Sequence, residues 1–247
     1  MSNIINADNG VVSGTPGLKY TADSSGNIQF QSTGVTGLSI NTGGKVVLAN
    51  TGLSTASAGT FEYNGTTPFF TPSGTQRGVV PGMQYYELNS TLALVATTSA
   101  QSWLGVGCTV SAGTVYAFEA LYAAIKTVGT TSHTLGTGFG GTATLNNISY
   151  FVNRYYDTTG FATANTGSII AWIQTAANTT TMTSNSQSTY YSVIQMIGIV
   201  SINAGGTFIP QATTSASGPI YTTQIGSYFR IYPIGAAGAN INVGTWA

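Results

Sequence analysis

The sequence predicts an all-β protein, a small N-terminal β module followed by a jelly-roll-like antiparallel β-sandwich, on three observations. The 247 residues include 40 threonines, and β-branched side chains suit the pleated, half-buried surface of a strand. Apolar segments are short, mostly alternating and bounded by Gly, Asn or Ser, the pattern of a sandwich or barrel. Long amphipathic helices between those segments are missing, so a parallel α/β sheet fits poorly.

The most continuous apolar run, Thr114 to Lys126, decides the fold class. Read as a strand, it puts Tyr116, Phe118, Ala120, Tyr122 and Ala124 on one face and Val115, Ala117, Leu121 and Ile125 on the other. Glu119 is the lone charge among them, so the strand is expected to be buried on both sides. Read as a helix, Val115, Phe118, Leu121, Tyr122 and Ile125 fall at three-and-four spacing with Gly129 as a stop. The neighbouring segments decide for the strand, because each of them alternates.

Taken in order, residues 1–72 form an N-terminal β-rich module for anchoring and oligomerisation. Short strands at 18–21, 27–31, 38–40 and 45–48 are separated by turns at Asp23 to Gly26 and at Gly43-Gly44. Each carries two or three core-sized side chains, and small sheets of this kind are marginal in isolation. Phe61 to Gly65 and Pro68 to Phe70 follow. Two prolines, three glycines and lost alternation across 72–82 mark a linker, placed at residues 73–82.

Residues 83–247 read as the sandwich domain. Leu104, Val106, Cys108 and Val110 alternate on one face; His133, Leu135 and Phe139 share a face, as do Ile148, Tyr150 and Val152. Ile170 and Trp172 opposite Ile169 and Ile173 again suggest burial on both sides. Val193 to Ile202 and Thr207 to Ile209, joined by Asn203-Ala204-Gly205-Gly206, read as a hairpin, with Pro210 at an edge or bulge. Tyr228 to Ile234 closes the set, and 235–247 reads as an irregular tail.

Composition excludes several partners. Charged residues make up 5% of the chain, six basic against six acidic, far below the roughly 25% of typical soluble domains. No basic cluster is present to neutralise phosphates, so nucleic acid is not an expected partner. Low net charge is also low self-repulsion, which favours specified self-association. The 27 aromatics argue that the chain folds. Cys108 is the single cysteine, so no intrachain disulfide is expected. The first residues, Met1 to Asp8, lack the basic and apolar regions of a signal peptide. No apolar stretch approaches the length of a membrane span.

The search for chemistry assigns no catalytic, cofactor-binding or metal site, and no cofactor. His133, the single histidine, has no cysteine partner nearby and reads as a half-buried ring with its nitrogens satisfied. Cys108 on an apolar face acts as a small hydrophobe. Zinc-ligand spacing is absent, and Asx turns explain the oxygen-rich segments at Asp8 and Asp23 better than a calcium loop does. Glu87, Glu119 and Asp157 are the carboxylates of the main domain. Sequence brings no two of them together, and Glu119 is expected to pair with Arg154 or Arg230. Gly136 to Gly141 resembles a phosphate-binding run only superficially and reads as strand bends or turns. The doublets Tyr85-Tyr86, Tyr155-Tyr156 and Tyr190-Tyr191 offer stacking platforms for sugars, or packing at core and subunit interfaces.

Several segments resemble tailed-bacteriophage virion structural proteins, both tail-fibre-like and capsid-decorating. They are Gly10 to Lys19 with Thr21 to Gly26, Arg77 to Pro81, Leu104 to Gly107, Phe139 to Asn147 and Gly226 to Gly235. The resemblance implies a non-enzymatic homotrimer of a virion surface, assembled in the host cytoplasm. In it an N-terminal module docks to capsid or tail proteins and a C-terminal sandwich faces outward, with host surface glycans as candidate ligands. A capsid cement or decoration protein is the close rival. A lectin-like carbohydrate-binding module and, least favoured, a depolymerase using Glu87, Glu119 or Asp157 are the others.

Overall fold

The computed structural model of the chain describes residues 28–32, 35–50, 52–161 and 167–238. The expected strand at 18–21, the Asp8 and Asp23 segments and most of the tail lie outside these residues. The described strands, in chain order, are β1 (Ile28–Ser32), β2 (Val35–Ile40), β3 (Val46–Leu48), β4 (Phe61–Tyr63), β5 (Pro68–Phe70), β6 (Gly78–Val79) and β7 (Gln84–Glu87). Then come β8 (Leu92–Ala93), β9 (Gln101–Ser102), β10 (Cys108–Val110), β11 (Thr114–Val128), β12 (His133–Gly140) and β13 (Thr144–Asp157). The last are β14 (Gly167–Ile173), β15 (Thr179–Asn185), β16 (Tyr190–Ala204), β17 (Gly206–Thr214), β18 (Ile220–Thr223) and β19 (Tyr228–Ala236).

The chain divides into two compact units, Met1–Ser54 with Glu62–Gly65, and Thr55–Phe61 with Thr66–Ala247. In the first, β1, β2 and β3 form one antiparallel sheet. Its β2–β3 turn is held by Asn41, whose Oδ1 accepts from the amides of Gly43 and Lys45, both at 3.0 Å. Gly44 takes the left-handed φ of 71° that the turn demands. None of the described side chains of this unit is buried, and Val46 is 66% exposed. The predicted linker, 73–82, falls inside the second unit, where β6 pairs with β5.

The second unit is a β-sandwich of two antiparallel sheets. In the larger, β14, β13, β16 and β11 run side by side; beyond β11, one half pairs with β19 and then β7, the other with β18 and then β8. In the smaller, the order is β10-β17-β12-β15, with β9 also on β17. β11 is the strand that the alternating context predicts over Thr114 to Lys126, and its ladder partners take up the backbone groups a helix would pair internally.

Alternation puts Tyr116, Phe118, Ala120, Tyr122 and Ala124 into the core. Phe118 meets Phe139 edge-on at 5.0 Å between ring centroids, and Phe139 stacks on Phe208 at 4.6 Å. The first contact joins the two sheets, and the second lies within the smaller one. Trp103, fully buried, stacks on Tyr122 at 5.4 Å.

Four expectations are corrected. β11 is not buried on both sides: Ala117, Glu119, Leu121, Ala123 and Ile125 are half-buried on its other face. Ile170 and Trp172 are 66% and 64% exposed, because the sheet they belong to is covered on one side only. The expected 193–209 hairpin is a change of sheet, with β16 in the larger sheet and β17 in the smaller. At Gly205 a side chain would meet the Val110 carbonyl at 2.9 Å, so the chain crosses there on a glycine. Finally, of the Gly136 to Gly141 run, Gly141 sits in a bend at φ 112°, whereas Gly136, Gly138 and Gly140 lie within β12, with a register shift against β15 at Gly136. They admit a close neighbour, as at Gly138, where an added Cβ would lie 2.8 Å from the Ala176 carbonyl.

Two further details refine the reading. Val106 is exposed in the loop before β10, so the alternating face begins only at Cys108. Pro210 sits between the stretch of β17 that pairs with β10 and the stretch that pairs with β9. The ladder is interrupted there, so the missing amide hydrogen leaves no partner unmatched.

Candidate functional site

Register across the larger sheet fixes what its outward face presents. One row runs Trp172, Phe151, Ile197, Glu119, Arg230 and Tyr85; the next runs Ile170, Asn153, Gln195, Leu121, Tyr228 and Glu87. A groove of about 690 Å³ lies on this face, between Trp172 and Phe151 on one side and Tyr232 and Arg230 on the other.

At the β19 side the face carries a polar network. Tyr228 donates its hydroxyl to Glu119 Oε1 at 2.5 Å and Arg230 donates to Oε2 at 2.5 Å. Tyr228 stacks on Tyr85, whose hydroxyl donates to Glu87 Oε2 at 3.1 Å. The Tyr228 hydrogen bond, then Arg230, holds the Glu119 carboxyl below the ordinary glutamate range, and the same bond raises the Tyr228 phenol. Of the two expected partners of Glu119, Arg230 is the one found. Through the two tyrosines the network also reaches Glu87, which sequence did not place beside Glu119.

Asp157 stands apart from both. Its Oδ1 accepts from the Thr159 amide at 2.6 Å and the Thr159 hydroxyl at 2.5 Å, closing the turn after β13. Beside it Tyr155, Phe161 and Tyr191 line a cleft of about 280 Å³, with Phe161 edge-on to Tyr191. The tyrosine doublets do not act as two-ring platforms, because strand alternation sends their rings to opposite faces. Tyr155 and Tyr191 point outward, whereas Tyr156 and Tyr190 stack inward at 5.4 Å.

Beneath those inward rings lies a polar pocket of the core. The Arg154 guanidinium, fully buried, donates to Ser192 Oγ at 2.6 Å and the Thr181 carbonyl at 3.1 Å, and faces the Tyr190 and Tyr156 rings. Burial lowers its pKa. His133, 1% exposed, is more deeply set than expected. Its Nδ1 lies 2.9 Å from the Thr131 carbonyl, which only accepts, so Nε2 takes the Tyr221 hydroxyl hydrogen at 2.8 Å. Lys126, also buried, donates to the Gln187 carbonyl.

Cys108 lies at the start of β10, its sulfur 3.4 Å from the Phe208 carbonyl, and burial pushes its thiol up to about 11. Among the described residues, no three His, Cys, Asp or Glu side chains gather as a metal ion would require.

Sequence reasoning missed the Trp172 groove. Its one signal was the alternation of Ile170 and Trp172, which marks a face without saying what covers it. Comparison of the chain with protein-family models and with curated proteins yields no match.

Proposed function

We propose that the chain is a non-enzymatic structural protein of a bacteriophage virion surface, of fibre type. Its N-terminal module docks to tail or capsid proteins and its C-terminal sandwich is displayed, with host glycans as candidate ligands. The observation that carries the reading is the contrast between the units. The sandwich has a continuous aromatic core, whereas the first unit has no buried side chain among its described residues. Copies of the chain, as in the homotrimer that the sequence resemblance implies, or a scaffold would cover these described side chains.

The cement reading is favoured by a second observation, the apolar outward face of the larger sheet, which suits a subunit packed among neighbours in a shell. Electron microscopy of virions labelled at the C-terminus separates the two. Signal at the tail supports a fibre and signal over the whole head supports cement. Particles that carry no label, with a purified chain that is monomeric, overturn both.

A further inference from the structure

We infer that the outward face of the larger sheet is the surface on which a second copy of this chain seats, with Ile197 and Ile199 on its middle strand and Trp172 projecting at its β14 edge. The inference rests on the proposed assembly of copies and names a surface that pairs them two by two, in addition to the contact that would close a homotrimer.

Positions that alternation normally gives to water are apolar here. Ile170 and Trp172 are exposed as given above, Ile199 is 48% and Ile197 46% exposed, and all four are brought together by the β14-β13-β16 ladder. The size fits a stable contact. Five strands at about 4.8 Å spacing and nine residues at about 3.3 Å rise give roughly 700 Å². A standard interface takes about 800 Å² and some 20–30 residues from each partner, and the face offers about twenty outward positions.

Charge fits as well. In the two rows the charged groups are Glu119 and Arg230, already paired with each other, and Glu87 out on β7; the centre of the face is neutral, so identical faces meet there without net repulsion. The face also holds both a projecting ring, Trp172, and the recess beside it, which a self-complementary contact needs. A saccharide suits it less, since sugar hydroxyls set against Ile170, Ile197 and Ile199 would lose water without gaining a partner.

The test is the solution mass of the full chain at micromolar concentration, compared with a Trp172→Lys, Ile199→Lys double variant and a Val95→Lys control at an exposed apolar site elsewhere in the sandwich domain. The double variant is expected to dissociate, its self-association weakened by about 100-fold or more, while the control stays assembled. As a check independent of folding losses, Ile199→Cys is expected to cross-link between chains far more efficiently than Val95→Cys. A double variant that stays assembled, with equal cross-linking at the two sites, overturns this inference and leaves the assembly reading standing. A monomeric wild-type chain overturns both. Binding of a monomeric wild-type chain to a glycan array, lost in the double variant, would give the face to sugars and overturn the inference.

Discussion

Arg230 donates to Glu119 at 2.5 Å across the β11–β19 ladder, where the two residues stand directly opposite each other. The Glu119 carboxyl titrates below its unfolded value, so between those two values the unfolded chain binds the extra proton. Its contribution to stability is therefore complete above the ordinary glutamate value of about 4.3 and lost as pH falls through the lower folded value. Both side chains remain partly exposed, so solvent screening keeps the contribution small. Urea midpoints of the native chain and Glu119→Gln are expected to differ at about pH 6 and to draw together as the pH is lowered below the ordinary glutamate value. A gap that widens on acidification would contradict the assignment.

Gly198 fills a register position with Phe118 on one side and Tyr150 on the other. A Cβ there would lie 2.5 Å from the Ser149 carbonyl and 2.8 Å from the Phe118 ring. Neither neighbour is free to give way, since one is backbone and the other the centre of the aromatic core. Gly198→Ala is expected to cost about 1–3 kcal/mol in chemical denaturation. Gly82→Ala, with nothing within 4 Å of the added carbon, should leave the midpoint unchanged.

The inner face of β11 was legible because alternation is a local property: Tyr116, Phe118, Ala120, Tyr122 and Ala124 point inward as their spacing requires. What lies across from a strand is not local. Nothing near Glu119 in sequence says that residue 230, and not 154, will stand opposite it, since that depends on which distant strands pair. The same gap explains Trp172, whose alternation marks a face but not its cover, and β17, whose turn signal fits a hairpin and a change of sheet equally well. The half-burial of His133 was legible from the face it shares with Leu135 and Phe139, but the buried Arg154 and Lys126 were hidden for a different reason. Polar residues in otherwise alternating strands read as solvent-facing until their partners on other strands are known.

Arg154 is tied to β15 and β16 by its bonds to the Thr181 carbonyl and the Ser192 hydroxyl. Shortening it to Ala leaves a cavity and takes a donor from the Thr181 carbonyl, the Ser192 hydroxyl and the Met182 sulfur, and about 3–5 kcal/mol should be lost. Arg154→Met keeps most of the volume and removes the cost of burying a cation, so its loss is expected to be clearly smaller. Thermal denaturation of the two variants decides. Equal losses would show that the hydrogen bonds, and not the filled volume, carry the effect.

Cys108 supplies one reactive group per chain with which to follow the opening of the smaller sheet. With its thiol held up to about 11, its thiolate fraction at about pH 8 is roughly 10⁻³, against about a quarter for a free cysteine. Only the thiolate attacks a disulfide reagent, and half-burial beside Phe208 slows access further. Labelling of the folded chain is therefore expected to run at least 100-fold slower than in denaturant, where one thiol per chain should react at the free rate. Because the shift comes from burial and not from a nearby anion, added salt should leave the folded rate almost unchanged. Fast labelling of the folded chain would mean that β10 separates readily from β17, and that the Cys108–Phe208 pairing is not a stable part of the sandwich.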